Sequence, residues 1–429
     1  MTFVAAGAVR PFGGLDVSDW FFLASLALVA GTVIFRGTTI EFALPNLFVF
    51  GFAVFSLGAV FSLPVALFPV DSLGAFVRFT FTVLVWFALG AIVLRGRHHV
   101  EIAIAAWILS IGISGLAAIA QVKWGPLVLG SITVVPQFAT GVGFVGRQVG
   151  LSVHPNDLGG AAAIGAAPAI LFATIRVWPR VPRAVFVGLL CLVLACIVLS
   201  GSVTAFAAGF VGAAVWSISG RVTATRLLML AGMLSLTSVA LAAINQQGAP
   251  SVLSPIDRVS TTLGLVTTPL ATGVQRLDLD TIAWNEIVRN PLYGVGLDGN
   301  SVAQAMGGIG VHNMFLFVWV GACFFGFFGL MVMVGSLASS YVAEYRRISE
   351  PADQRLVMAL GTSFASFLIV TLAQPIVFSR YAWVPAALLL AVQAGRLRRE
   401  AAARVLAPAG DKPRHPETAI PSSFGQPAQ

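Results

Sequence analysis

The sequence predicts an all-α fold, a polytopic bundle of about eleven transmembrane helices (range ten to twelve) with one large outer-face loop containing short helices. Three observations carry that expectation. Only 10% of the 429 residues are charged and 58% are hydrophobic, with a mean hydropathy of +0.92. An ordinary soluble domain carries roughly a quarter charged residues, so this chain has too few to cover a water-facing surface. Apolar runs of bilayer-crossing length recur along the chain, and the segments between them alternate between arginine-rich and mixed in sign. The 44 glycines fit as well, since glycine is commoner in membrane helices than in soluble ones.

A span needs about 20 apolar residues. Such stretches fall at 18–36, 43–68, 73–94, 100–121, 156–176, 184–200, 202–219, 226–245, 311–343, 356–376 and 380–395. The second contains Pro45 and Pro64 and is expected to break. The stretch 184–219 turns at Ser200-Gly201-Ser202 and reads as a tight hairpin. Cys191, Cys196 and Cys323 fall inside apolar runs, and three cysteines without paired spacing argue against a disulfide framework or a zinc site. Lys123 and Lys412 are the only lysines, so the net charge of +8 is almost all arginine.

Those arginines cluster at Arg95/Arg97, Arg176/Arg180/Arg183, Arg221/Arg226, Arg346/Arg347/Arg355 and Arg396/Arg398/Arg399. Positive-inside logic puts these segments in the cytoplasm. Loops 122–155, 200–202, 246–310 and 377–379 then face outward. Orientation in the bilayer accounts for the basic charge better than nucleic-acid binding does. The C-terminus becomes cytoplasmic and, with eleven spans, the N-terminus lies outside. The first 17 residues, with Arg10, Pro11 and Gly13-Gly14, form no signal-peptide apolar core. Residues 1–400 read as one integral membrane domain and 401–429 as a disordered cytoplasmic tail, with no internal repeat.

Three polar stretches stand out. The first, Gly146 to Gly159, ends an outer loop and opens a helix: Pro155 suits a first helical position, and Asn156 or Asp157 can cap it. The structural reading of Arg147 and His154 there is an interfacial arginine beside a capped helix start. The second is loop 246–310, with Arg258, Arg276, Asp278, Asp280, Trp284, Glu286, Arg289 and the run Asn290-Pro291-Leu292-Tyr293-Gly294-Val295-Gly296. A loop of that length is long for a connector. Trp284, Ile287 and Val288 are at helical spacing, predicting a helix lying on the membrane. Gly294 and Gly296 allow a sharp turn or a close approach to a ligand. The third is Val311-His312-Asn313-Met314-Phe315, heading a very apolar helix. The positive end of that helix favours the neutral imidazole that a general base requires; an interfacial, helix-capping histidine is the structural alternative. Asp278 and Asp280, two apart, point to opposite sides of a helix and make a poor metal site.

Three segments together resemble the O-antigen ligase and polymerase family of bacterial surface-polysaccharide proteins. They are Arg147-x-x-Gly150 with His154-Pro155-Asn156, Arg276 and Trp284 with Asn290 to Gly296, and His312-Asn313 at a helix head. The resemblance implies a membrane glycosyltransferase of the cytoplasmic (inner) membrane, acting on its extracytoplasmic face. It would move a glycan from a polyprenyl diphosphate carrier to an acceptor sugar hydroxyl during exopolysaccharide or other cell-envelope polysaccharide biosynthesis, beside other assembly proteins. His312 is then the base, and Arg276 and Arg147 neutralise the leaving diphosphate, for which arginine is better suited than lysine. Arg258, Arg289, His154, Asn156, Asn313, Trp284, Gly294 and Gly296 are secondary candidates. No metal and no cofactor is implied. A polymerase is favoured over a ligase, since nothing points to a lipid core as acceptor.

The chain departs from the family pattern twice. A hairpin arginine is absent from Ser200-Gly201-Ser202-Val203-Thr204, and an acidic position after the His-Asn pair is Gly321. The competing readings are a lipid-glycan transporter or flippase and a non-catalytic scaffold of an assembly complex. The spans hold no deep carboxylate and no matching halves, which disfavours a transporter.

Overall fold

The computed structural model describes residues 17–36, 44–94, 96–125, 127–129, 132–134, 147–175, 177–218, 272–308 and 310–406. These residues are overwhelmingly helical. In chain order the helices are α1 (Val17–Arg36), α2 (Asn46–Ser62), α3 (Pro69–Val93), α4 (Arg97–Trp124), α5 (Pro155–Thr174), α6 (Arg183–Leu199), α7 (Val203–Ile218), α8 (Thr272–Arg289), α9 (Gly299–Ala305), α10 (Met314–Arg347), α11 (Pro351–Thr371) and α12 (Arg380–Leu406). The only strands among them are Leu127–Leu129 and Ile132–Val134, a three-rung antiparallel hairpin.

Among the described residues five helices are long and apolar enough to cross a membrane: Arg97–Trp124, Pro155–Thr174, Met314–Arg347, Pro351–Thr371, and α2 continued through its terminal turn to Val65. They mark the chain as a membrane protein. Helices occupy every segment in which the sequence predicts a span except 226–245, which lies outside the described residues. The break expected in 43–68 falls at its end: α2 stops at Ser62, a 3₁₀ turn takes Leu63–Val65 with Pro64 in it, and Pro69 opens α3. The hairpin at 200–202 forms as expected, and Gly201 takes a φ of +56° there. α12 runs to Leu406, so residues 401–406 are helical where the sequence suggests the start of a disordered tail.

The most extensive helix pairing joins α2 to α10, antiparallel. Its close approach depends on glycine. A Cβ at Gly58 would lie 2.3 Å from the Gly326 nitrogen, and one at Gly329 would lie 2.3 Å from the Phe55 nitrogen. Small residues let helix backbones meet where lipid supplies no hydrophobic drive. Beside this seam Phe48, Phe55, Phe79, Phe87, Phe367 and Trp383 interlock α2, α3, α11 and α12, with Phe55 and Phe79 centroids 4.4 Å apart.

The two ends of the bundle differ in charge. At one end Arg97 donates to Glu101 (2.8 Å) and Glu350 (2.9 Å), and Arg399 reaches Asp353 at 3.1 Å. Arg396 holds buried Glu344 through two bonds of 2.8 and 3.1 Å. Arg180, Arg183, Arg346, Arg347 and Arg355 share this end. The other end gathers the heads of α5, α7, α10 and α12, and the described parts of the three polar stretches noted in the sequence lie there.

Candidate functional site

At the head of α5, residues 147–154 are folded onto the ends of α4 and α6. The Gln121 amide donates to the Gly150 carbonyl (2.8 Å) and its oxygen accepts the Gly150 N–H (2.8 Å). The Leu151 N–H donates to the Ser114 hydroxyl at 3.0 Å. Arg147 then extends across the hairpin tip. Its Nε donates to the Ser200 carbonyl at 2.7 Å, its stem lies over Gly201, and an Nη donates to the Asn156 side-chain oxygen. The guanidinium therefore occupies the tip of the hairpin that itself carries no arginine.

The cap of α5 differs from the sequence reading. His154, not Asn156 or Asp157, is the N-cap, with Nδ1 accepting the Asn156 N–H at 3.0 Å. An acceptor Nδ1 places the ring proton of a neutral imidazole on Nε2. Asn156 and Asp157 are thereby released for tertiary work: Asn156 receives Arg147, and Asp157 accepts the Tyr381 hydroxyl at 3.0 Å, joining α5 to α12.

The second stretch forms around a break in α10. Ala322 (φ −121°, ψ 23°) and Cys323 (φ 55°, ψ −173°) interrupt that helix, leaving backbone groups unmatched within it. The segment 291–296 pairs with them. Val295 N–H donates to the Val320 carbonyl (2.9 Å), Gly296 N–H to Gly321 (3.0 Å), and Phe324 N–H to Pro291 (3.1 Å). Gly294 lies so close to the break that a Cβ there would sit 2.4 Å from the Gly321 oxygen. Gly294 thus admits a close approach of backbone to backbone, and Gly296, at a φ of +111°, makes the sharp turn that the sequence allowed, with the Ser72 and Ser301 hydroxyls against it. Gly321 is equally constrained, since its own Cβ would meet the Gly296 oxygen at 2.9 Å. An acidic side chain has no room at that position in this fold.

The helix expected within the long loop forms as α8, and one side of it packs against the bundle. Leu279, Ala283 and Ile287 are buried, and the helix packs along α10. Trp284 makes an edge contact with Trp319 at 5.9 Å. Arg276 sits in this helix, with its side chain outside the described atoms; Arg258 lies outside the described residues altogether. Arg289 is 76% exposed, 4.0 Å from Glu286.

At the head of α10, Asn313 is the N-cap, accepting from Phe315 N–H (2.9 Å) and Leu316 N–H (3.3 Å). Asn313, and not His312, therefore caps this helix. His312 is half-buried, one residue before the cap, between buried Val311 and Met314. Phe317, one turn on, packs against Phe378 at 6.1 Å, which links this head to the Tyr381–Asp157 corner.

Asp298 is a residue that the sequence reading missed. It is buried, caps α9 by accepting the Ser301 N–H at 2.8 Å, and accepts the Ser72 hydroxyl at 2.5 Å. An aspartate before a short helix is a legible N-cap candidate; its reach to α3 was not. Burial pushes this carboxyl up, but the Ser301 and Ser72 hydroxyls and the Ser301 and Asn300 N–H groups outweigh it and hold it below its ordinary value. A depressed folded value contributes stability above the unfolded pKa of roughly 3.9, lost as pH falls through the folded value. Asp298→Asn should lower the melting temperature at neutral pH, and the gap from wild type should close as the pH drops below 4. An equal gap at both pH values would show that charge on Asp298 plays no part.

Among the described residues no three His, Cys, Asp or Glu side chains gather to hold a metal ion. A cleft at the opposite end is lined by Gly96, Arg97, Asp353, Gly395 and Arg399, but its two arginines are already paired with carboxylates. No protein-family model matches this chain, and no curated protein sequence matches it. Fold and site together define a class only: a helical membrane protein with a built polar cluster at one end and an ion-paired arginine cluster at the other.

Proposed function

We propose that the chain is a membrane glycosyltransferase of the O-antigen ligase/polymerase type, with eleven spans and its site on the extracytoplasmic face of the bacterial inner membrane. The C-terminus and the arginine-rich end then face the cytoplasm, and 246–310 is the outer loop. One observation carries the reading: Arg147 with Asn156, the 290–296 segment on the break of α10, and His312-Asn313 all sit at the end opposite the arginine cluster.

In this reading the acceptor hydroxyl oxygen attacks the anomeric carbon of the carrier-linked glycan. His312 takes the hydroxyl proton, the carbon–oxygen bond to the diphosphate breaks, and the carrier diphosphate leaves with its electron pair. Arg276 and Arg147 neutralise the charge that develops on it. Arg147, positioned by Ser200 and Asn156, takes over the role of the hairpin arginine that the chain lacks. Both substrates are lipid-borne, which suits a site at a membrane surface.

The polymer made by a deletion strain tests the reading. Loss of long chains with single repeats still attached means a polymerase, and free carrier-linked polymer means a ligase. An unchanged surface polymer in that strain rejects the glycosyltransferase. Arg276→Ala should lower polymer yield about tenfold or more, while Arg289→Ala, solvated and beside Glu286, should change it less than twofold. Equal losses would mean that the wrong arginine carries the diphosphate.

A further inference from the structure

α8 and the turn after it carry an apolar surface that the other described residues leave exposed. Val288 is 62% exposed, Leu292 58% and Tyr293 69%. Trp284 and Val288 lie one turn apart on one side of the helix, with exposed Asn285 and Arg289 beside them, and exposed Leu292 follows in the turn. The buried side of the same helix faces α10. This surface continues directly into a row of aromatic rings on α10. Trp319 stacks on Phe327 at 4.3 Å, and Phe324 stacks on Phe328 at 5.9 Å. Phe324, Phe325, Phe328 and Met331 are exposed along a helix long and apolar enough to cross a membrane, so lipid is what that row faces.

The depth of the turn follows from α10 itself. The Pro291 carbonyl accepts from the Phe324 N–H at 3.1 Å and from the Trp319 indole at 3.3 Å, so the turn sits level with Phe324. Twenty residues separate Phe324 from Glu344, the ion-paired carboxylate at the arginine-rich end. At 1.5 Å per residue that is about 30 Å, the thickness of the hydrocarbon core. Leu292 and Tyr293 therefore stand where the acyl chains give way to headgroups. Tryptophan and tyrosine are enriched at that level, because each offers an apolar ring and a polar tip.

We propose that the Pro291–Tyr293 turn, with Val288 and Trp284, is an interfacial anchor that inserts into the bilayer at the acyl–headgroup boundary. Its occupant is lipid, and the inference stands whether or not the chain is a glycosyltransferase. The turn is also pinned to the break in α10, so the anchor fixes the height of α8, the helix carrying Arg276, above the membrane.

Nitroxide accessibility in proteoliposomes tests it. The background is a cysteine-free chain with Cys191 and Cys196 replaced by alanine and Cys323 by glycine, which suits a φ of 55°. A label at Tyr293→Cys should collide with oxygen several times more than with a water-soluble nickel chelate. A label at Asn285→Cys should show the reverse. Nickel access at 293 equal to that at 285 overturns the proposal. So does a 293 label reached by neither quencher, because a protein surface would then cover the turn. Should the substituted chains fail to fold, the unaltered protein can be irradiated in vesicles containing a lipid with a photoreactive group in its acyl chain. Adducts on the peptide holding 288–293 support the anchor. Adducts on Phe324–Phe328 with none on 288–293 reject it.

Discussion

Replacing His312 with alanine should abolish assembly of the surface polymer while leaving the protein at its normal level in the membrane. The expectation rests on a separation of roles at the head of α10. Asn313 caps the helix through two backbone N–H groups, and Val311 and Met314 are the buried residues flanking the pair. His312 is half-buried and does not make the cap, so the two cap hydrogen bonds survive its replacement. In the proposed reaction the replacement removes the proton acceptor, and positioned general bases contribute about 10²–10⁴-fold to rate. Polymer yield, measured against the amount of membrane-inserted protein, distinguishes loss of chemistry from loss of fold. Wild-type polymer from His312→Ala rejects His312 as the base. Asn313→Ala serves as the structural contrast: losing the cap should cost about 1 kcal/mol and lower the thermal stability.

Gly329→Leu should prevent α2 and α10 from packing and sharply reduce the amount of folded protein. Any Cβ at 329 would lie 2.3 Å from the Phe55 nitrogen and 2.5 Å from the Gly51 oxygen. Both are backbone atoms, so no rotamer change relieves the clash and the helices must separate. Overpacking a close-fitting core costs about 1–3 kcal/mol where side chains can yield, and more is expected where they cannot. The damage also spreads to the site, because α2 leads through Leu67 to the Val295 carbonyl, at 3.3 Å, and so to the segment that fills the break in α10. Gly335→Leu is the control on the same helix, since a Cβ there meets nothing within 4 Å. Equal melting temperatures for Gly329→Leu and Gly335→Leu in detergent would show that the seam does not hold the bundle together.

Much of the architecture was legible from the run lengths of apolar residues. Helices occur where stretches of about 20 such residues predict them, because a backbone in lipid must satisfy its own hydrogen bonds. The hairpin at Ser200-Gly201-Ser202 was readable from its glycine, and the helix within loop 246–310 from the spacing of Trp284, Ile287 and Val288. The placement of that helix was not. Leu279, Ala283 and Ile287 turn toward α10, a choice made by a partner some thirty residues away in sequence.

The candidate site was legible as residue types and largely illegible as roles. Arg147, His154, Asn156, Gly294, Gly296 and Asn313 were all singled out. His154 proved to be the cap, however, and Asn156 the partner of Arg147. Capping depends on which short polar side chain faces the free N–H groups, and neighbouring candidates cannot be ranked by spacing alone. Nothing in Gly321-Ala322-Cys323 announced a broken helix, and Cys323 adopts a φ that ordinarily selects glycine. That strain is sustained only because 291–296 supplies hydrogen-bond partners to the broken turn.

The sequence by itself determined that the chain is helical and membrane-borne, since too few charges and long apolar runs leave no other way to satisfy its surface and backbone. Tertiary structure alone decided that Arg147 covers the hairpin tip, that Gly321 has no room for a side chain, and that Gly294 lies against the break in α10. These outcomes depend on distances of a few ångström between segments far apart in the chain, which hydropathy and spacing do not encode.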